Sequence, residues 1–116
     1  MKKILIAEDN ELNMKLMTDI LEFEGFNITQ ASDGQEALDM IEQEDFDLIL
    51  LDIQMPVKSG YDVMAQMKKD IPVVVVSAFA SKQEIDKMRE FNPLAYITKP
   101  IMIKSFVKTV KSALGG

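Results

Sequence analysis

The stretch Leu48-Ile49-Leu50-Leu51-Asp52 decides the fold of this chain, because a run of four apolar residues ends at a single carboxylate. Three other largely apolar runs also end at polar residues: 4–7 at Glu8 and Asp9, 73–76 at Ser77, and Ala95–Thr98 at Lys99. Short apolar runs bounded by polar residues are typical of buried parallel strands. Ligands of an open parallel sheet bind outside the carboxyl ends of its strands. We therefore expect these polar side chains to meet at one edge of a sheet.

Helical patterns alternate with these strand-like runs. The first predicted helix covers residues 11–24 and ends at Gly25, with an apolar stripe of Leu16, Met17, Ile20 and Leu21. A strand is predicted at 28–31, followed by a helix that Asp33 and Glu36 cap as a capping-box-like pair. A loop at 55–60, a helix at 61–69 and a strand after Pro72 come next. A capping box of Ser81 and Glu84 opens a helix that runs to about Phe91, and a last helix has Ile103, Phe106, Val107, Val110 and Leu114 on one face. This alternation indicates an α/β fold, a parallel sheet between two layers of helices, in one domain of residues 1–116.

Composition narrows the range of functions. The chain has no Cys and no His, which excludes disulfides, thiolate chemistry, histidine triads and imidazole-ligated zinc. A net charge of −6 disfavours nonspecific nucleic-acid binding, which needs clustered Lys and Arg. No apolar run approaches the ~20 residues of a membrane helix. The start of the chain also lacks the ~7–15-residue apolar region of a signal peptide, so we expect a cytoplasmic protein.

The polar residues at the predicted strand ends suit one kind of chemistry. Glu8, Asp9 and Asp52 offer the hard oxygen ligands that Mg²⁺ prefers, while the Ser77 hydroxyl and the Lys99 ammonium suit a phosphoryl group. Taken singly, each has a simpler interpretation. Glu8 and Asp9 fit a solvated strand end before a helix N-terminus, and Lys99 fits an ordinary surface lysine. Three carboxylates, a hydroxyl and an ammonium at one edge together favour a divalent cation and a phosphoryl group.

The residues at these ends resemble a known family. The matching pieces are Ile6-Ala7-Glu8-Asp9-Asn10, Asp52-Ile53-Gln54-Met55-Pro56 with Gly60, Ser77-Ala78, and Tyr96-Ile97-Thr98-Lys99-Pro100. Because these pieces occur in this order at the ends of successive predicted strands, the chain resembles, nearly end to end, the receiver domain of two-component response regulators. Without an output domain it is most similar to stand-alone receivers of the CheY, Spo0F and DivK type. Residues 8–16 look most like the DivK type.

The resemblance implies a flavodoxin-like fold with strand order 2-1-3-4-5. It implies a signalling switch, catalysing only its own phosphorylation and dephosphorylation, in which Asp52 accepts a phosphoryl group from a partner's phosphohistidine. It implies that Mg²⁺, replaceable by Mn²⁺, binds to Asp9, Asp52 and the backbone carbonyl of Gln54, with Glu8 acting through water. It implies that Ser77 and Lys99 form hydrogen bonds to the phosphoryl oxygens and that the Lys99–Pro100 bond is cis. It also implies that Tyr96 is a switch, which we expect to be coupled to Ser77 through residues 78–81 and the next helix.

The implied partners are a sensor histidine kinase or histidine phosphotransfer protein and a downstream protein target. No nucleic acid or membrane is implied, and we expect a monomer. The predicted docking surface is Leu12, Met14, Lys15, Pro56 and Ile101. Leu12 and Met14 fall outside the apolar stripe of the first helix yet lie beside the acidic edge, where exposed apolar residues indicate docking. Scattered surface hydrophobic residues explain them equally well.

Three features depart from the family pattern. Ser77 replaces the commoner Thr, the segment between Asp52 and Ser77 is shorter, and Asn92-Pro93 stands where small residues are frequent. Two other functions fit the sequence less well. A haloacid-dehalogenase-like phosphatase would carry a second Asp two residues after its nucleophile, where this chain has Gln54. A pseudo-receiver, which binds partners without phosphoryl transfer, would not need the complete set of acids, hydroxyl and lysine.

Overall fold

Strands and helices alternate strictly in the computed structural model, which describes residues 1–78 and 81–115. The elements are β1 Lys3–Ala7, α1 Glu11–Phe23, β2 Asn27–Ala31, α2 Gly34–Gln43, β3 Leu48–Asp52, α3 Gly60–Gln66, β4 Val73–Ser77, α4 Lys82–Glu90, β5 Ala95–Thr98 and α5 Ile103–Ala113. Phe79 and Ala80 lie outside the described residues, and with them the middle of the predicted switching segment 78–81.

The five strands form one parallel sheet in the order β2-β1-β3-β4-β5, which confirms the predicted topology. All five residues of β3 are buried, as expected for the central strand. Side chains alternate between the two faces of a strand, so the sheet has two cores. Leu5, Ile49 and Leu51 contact a core that includes residues of α2, α3 and α4, whereas Ile4 and Leu50 contact the α1 and α5 side.

Side-chain caps fix the starts of α1 to α4, whereas α5, whose N-cap residue is Met102, starts without one. The Asn10 side chain accepts a hydrogen bond from the Asn13 N–H of α1, and Asp33 accepts one from the Glu36 N–H of α2. α3 begins with a full capping box, in which Ser59 and Asp62 each accept the other's N–H. The Gly60 N–H at the start of α3 donates to the Ile53 carbonyl at 2.9 Å, which holds the loop after β3 close to the end of the central strand.

The buried face of α1 differs from the prediction. Met14 is buried with Met17, Thr18 and Leu21, whereas Leu16 is exposed. Residues 14, 17, 18 and 21 lie three or four positions apart and therefore share one helical face. The predicted exposure of Met14 is wrong, and this residue belongs to the core.

Two further differences concern α3 and α5. The prediction extended the third helix to residue 69, but α3 ends at Gln66 and Met67 has extended backbone angles. Six residues after Gln66 must lead the chain back to Val73, the start of β4, and they leave no room for another helical turn. Ile103, predicted on the apolar face of the last helix, is 58% exposed at the first residue of α5.

The predicted cis peptide bond between Lys99 and Pro100 is confirmed. Within the part of the chain described, no helix has the length and apolarity required to cross a membrane.

Candidate functional site

Polar side chains from four strand ends meet at one edge of the sheet, as the sequence predicted. Asp52 is the last residue of β3 and pairs with Val76, one residue before Ser77 ends β4. Ser77 in turn pairs with Thr98, and its carbonyl oxygen accepts a hydrogen bond from the Lys99 N–H at 2.8 Å. Parallel register therefore brings residues that are far apart in sequence to the same position along the sheet.

Lys99 joins two buried carboxylates. Its Nζ lies 3.0 Å from Glu8 Oε1 and 3.2 Å from Asp52 Oδ2. Glu8 is 1% and Asp52 4% exposed, and a buried charge is costly unless it is paired. Backbone N–H groups complete the pairing, because Gln54 donates to Asp52 Oδ1 at 3.2 Å and Asn10 donates to Glu8 Oε1 at 3.4 Å.

The electrostatics of this edge leave an excess of negative charge. Burial raises the pKa of the Asp52 carboxyl, and the ammonium of Lys99 opposes that rise. Burial and the charge of Asp52 also raise the pKa of Glu8. Burial lowers the pKa of Lys99, but its hydrogen bond to Glu8 and the charge of Asp52 outweigh that effect and raise it. One cation thus faces two buried carboxylates, and a further cation would stabilise their ionised forms.

The donor set fits a hard divalent cation. Carboxylate oxygens of Glu8, Asp9 and Asp52 lie within 4.8 Å of one another, and the Asp9 side chain is exposed to solvent. Glu8 Oε2 is buried without a hydrogen-bond partner among the described residues, which is costly for an acceptor. Mg²⁺ binds one or two carboxylates and keeps several waters. A water on such an ion would satisfy Glu8 Oε2, so these residues fit Mg²⁺.

The predicted docking residues do not all reach the surface. Leu12, Lys15 and Pro56 are exposed, and Lys15 Nζ forms an ion pair with Asp19 Oδ2 at 2.9 Å. Ile101 is half-buried against the core that lies between the sheet, α1 and α5. Met14 is buried and is removed from this surface. Tyr96, the predicted switch, is 41% exposed on β5.

Two glycines set the shape of the loop that follows Asp52. A Cβ on Gly34, the first residue of α2, would overlap the carbonyl oxygen of Lys58. A Cβ on Gly60 would lie 2.5 Å from the carbonyl oxygen of Asp52 itself. Only a residue without a side chain allows these approaches. Gly34 was not among the predicted site residues, although a glycine directly after the cap residue Asp33 was a signal for it.

Val57 gives the same loop a strained centre. Its φ is 68°, and the Lys58 N–H donates to the Pro56 carbonyl at 2.8 Å across it. Left-handed backbone is unfavourable for a β-branched residue, and the strain is of order 1–3 kcal/mol. The Val57 side chain is 75% exposed, so packing offers little compensation. The sequence offered no signal for this conformation.

Replacing Val57 with glycine should therefore stabilise the protein. We expect Val57→Gly to exceed Val57→Ala in free energy of unfolding by about 1 kcal/mol, because both remove the branched side chain but only glycine relieves the left-handed strain. For a domain of this size that difference is about 4 °C in Tm. Thermal melts of both variants provide the measurement, and equal melting temperatures would contradict the strain.

Comparison with known proteins assigns the family. Residues 4–111 match the family model of the response regulator receiver domain. The polar-differentiation response regulator DivK of Brucella ovis is 44% identical over 119 aligned positions, covering 98% of this chain and 97% of that protein. The chain belongs to the response regulator receiver family.

Solved structures agree with this assignment. A CheY-like response regulator receiver domain from Methanospirillum hungatei has a TM-score of 0.91 at 29% identity, covering 99% of this chain and 94% of that one. A two-component response regulator from Clostridium difficile has a TM-score of 0.93 at 25% identity, covering 99% and 97%. The receiver domain of the Pseudomonas aeruginosa sensor histidine kinase PA1611, solved with a magnesium ion in its active-site cleft, shares the fold at 23% identity, with a TM-score of 0.89 and 99% and 98% coverage. This protein is therefore a phosphoacceptor signalling switch of the two-component class.

Proposed function

We propose that Asp52 accepts a phosphoryl group from a phosphohistidine of a partner protein. The observation that supports this most directly is a buried carboxylate held by Lys99 at 3.2 Å inside a cluster of three acids. Incubation with Mg²⁺ and acetyl phosphate, followed by peptide mapping, tests the proposal, since the phosphoryl group should be found on Asp52.

Covalent bonds change only among the carboxylate, the phosphoryl group and the donor imidazole. A carboxylate oxygen of Asp52 attacks phosphorus, the P–N bond of the phosphohistidine breaks, and the imidazole nitrogen keeps the electron pair. The product is an acyl phosphate, which water later hydrolyses to the free carboxylate and inorganic phosphate. Lys99 places a compact positive charge beside the acceptor oxygen, where negative charge accumulates during transfer. The Ser77 hydroxyl would donate a hydrogen bond to a phosphoryl oxygen.

The proposed metal ligands are Asp9, Asp52 and the backbone carbonyl of Gln54, with Glu8 acting through a bound water. Mg²⁺, or Mn²⁺ in its place, reduces the repulsion between the anionic carboxylate and the anionic phosphoryl group. The exposed Asp9 would hold the ion, and the buried Glu8 would accept a hydrogen bond from its water through Oε2, which has no partner among the described residues. Neither residue changes covalently in the reaction.

The proposed switch links Ser77 to Tyr96. Ser77 ends β4 in the buried interior, and β5 places Tyr96 two residues before the partner of Ser77 in the sheet. When the hydroxyl moves toward a new anion, it vacates space that the half-exposed aromatic ring of Tyr96 can fill. A ligand shifts such an equilibrium only by interacting differently with its two states.

Removing the hydroxyl of Ser77 should weaken this switch. In Ser77→Ala we expect the phosphorylation-dependent amide shifts of Tyr96 and of α4 to fall to less than about half of their wild-type size, because a coupling of a few kcal/mol is lost. Amide NMR spectra before and after acetyl phosphate treatment measure this. Full-sized shifts in the phosphorylated variant would exclude the coupling.

The phosphohistidine donor is another protein, because this chain contains no His. We propose a sensor histidine kinase or a histidine phosphotransfer protein that docks on Leu12, Lys15, Pro56 and Ile101. Leu12 is 80% exposed in the first turn of α1, three residues after Asp9, a place where an apolar contact can hold a partner beside Asp52. The phosphorylated form would act on a downstream protein target. A monomeric state, a cytoplasmic location and no contact with nucleic acid or membrane complete the proposal.

Leu12→Asp should slow transfer from the phosphohistidine partner by about tenfold or more, since a buried apolar contact at an interface is worth over 1 kcal/mol. Labelling by acetyl phosphate should not change, because the small donor needs no docking surface. Phe23→Asp is the matched control, as Phe23 is 88% exposed at the other end of α1. The measurement is the rate of phosphorylation by each of the two donors. If Leu12→Asp slowed phosphorylation by both donors equally, Leu12 would not belong to the docking surface.

A further inference from the structure

Helix α4 buries few of its side chains in the core. Met88 is its only buried residue, Ile85 is partly buried, and six of its nine residues carry charged side chains: Lys82, Glu84, Asp86, Lys87, Arg89 and Glu90. A helix with so little buried apolar surface gains little stability from packing against the sheet. Contacts from outside the core therefore have a large influence on where α4 lies.

A single side chain from α3 supplies such contacts along the whole of α4. The Tyr61 hydroxyl donates to Glu84 Oε2 at 2.9 Å in the first turn of α4. The ring of Tyr61 stacks on Phe91, the residue that caps α4, with centroids 5.5 Å apart, and Lys87 Nζ lies 4.3 Å from its centroid. Burial and the hydrogen bond to Glu84 raise the pKa of Tyr61 to about 12, although an ordinary tyrosine hydroxyl is already protonated and able to donate near neutral pH. We call these four residues the Tyr61 clamp.

The clamp is directly connected to the phosphoacceptor through the backbone. Tyr61 follows Gly60, where a Cβ would lie 2.5 Å from the Asp52 carbonyl oxygen and 2.8 Å from the Ile53 Cα. The Gly60 N–H also donates to the Ile53 carbonyl at 2.9 Å. Close-packed groups transmit displacement rather than absorb it. A movement of the backbone at Asp52 therefore moves the start of α3, and Tyr61 with it.

We propose that Tyr61 is a positioning residue that couples Asp52 to α4 along α3, in addition to the proposed Ser77–Tyr96 link and independently of β4 and β5. The inference rests on the proposed phosphorylation of Asp52. The contacts of the clamp are all made in this structure, and we assign that arrangement to the unphosphorylated state. An acyl phosphate adds volume and charge at Asp52, displaces the start of α3, and separates the Tyr61 hydroxyl from Glu84. Release of the clamp then changes the surface that α4 presents.

Binding of beryllium fluoride, a phosphoryl mimic, tests this coupling in the full chain. If the clamp stabilises the unphosphorylated state, Tyr61→Phe should bind BeF₃⁻ with Mg²⁺ about fivefold more tightly than wild type, because binding and release are linked reciprocally. Without the mimic, its α4 amide signals should be displaced toward their bound positions. Phenylalanine keeps the ring contacts, so the effect reports on the hydroxyl. Glu90→Gln, an exposed acid at the end of the same helix, should match wild type.

The outcomes separate coupling from simple support. A lower Tm for Tyr61→Phe with unchanged BeF₃⁻ affinity and undisplaced α4 signals would show a purely structural residue and overturn the inference. Weaker binding would overturn it as well, because the clamp would then belong to the bound state. Failure of the wild type itself to bind BeF₃⁻ would overturn the proposed phosphorylation of Asp52 and the coupling that rests on it.

Discussion

Asp52→Asn should remove phosphorylation altogether. With Mg²⁺ and acetyl phosphate, we expect the wild-type protein to gain the mass of one phosphoryl group and the variant to gain none. Asparagine preserves the shape of the side chain but has no anionic oxygen to attack phosphorus. Intact mass spectrometry measures the gain, and peptide mapping places it. The variant should also stay folded, because Lys99 keeps its 3.0 Å pair with Glu8.

The matched control for this experiment is Asp70→Asn. Asp70 is an exposed aspartate between α3 and β4, far along the chain from the acidic cluster. It should label like the wild type, which excludes a general effect of removing one carboxylate. Wild-type labelling of Asp52→Asn would assign the phosphoryl group to another residue and would end the proposal for Asp52.

Asp9→Ala should have the second-largest effect, on the metal rather than on the nucleophile. We expect Mg²⁺ affinity to fall by tenfold or more, since the loss of one of two carboxylate ligands costs over 1.4 kcal/mol. Labelling by acetyl phosphate should slow accordingly. The melting temperature should stay the same or rise, because the variant loses like-charge repulsion among Glu8, Asp9 and Asp52.

Titration of amide NMR shifts with Mg²⁺ provides the affinity. Glu11→Ala is the appropriate control, because Glu11 is an exposed acid two residues further on, outside the group of three carboxylates. It should keep the wild-type affinity. An Asp9→Ala protein that binds Mg²⁺ as tightly as the wild type would rule out Asp9 as a ligand.

The strands and the acidic edge could be predicted because their signals are local. Each apolar run is short, ends at a polar residue and belongs to a parallel strand, so the topology alone brings Glu8, Asp52 and Lys99 together. The burial of Met14 was harder to predict. α1 carries apolar residues on its outer face too, at Leu12, Leu16 and Phe23, and spacing alone does not distinguish the two faces.

Other features depend on contacts that no local pattern contains. The prediction paired Glu84 with Ser81 in a capping box, and the Ser81 half is present, with its hydroxyl accepting from the Glu84 N–H at 3.2 Å. The Glu84 carboxylate accepts from Tyr61, which lies 23 residues earlier on another helix. Likewise, the carbonyl oxygen of Lys58 leaves no space for a side chain at residue 34, which is why glycine stands there. The end of α3 depends on the path by which the chain returns to β4. Such features follow from tertiary packing.

The ion pair of Lys99 has a consequence for the order in which the protein is made. Lys99 lies 91 residues after Glu8 and 47 after Asp52, and it follows the last strand of the sheet. A ribosome releases the two acids long before the lysine that neutralises them. A nascent chain that has not yet reached β5 would have to bury Glu8 and Asp52 without their ammonium, which is unfavourable. The two acids are thus neutralised only after β5 has been made, when the other four strands of the sheet are already present.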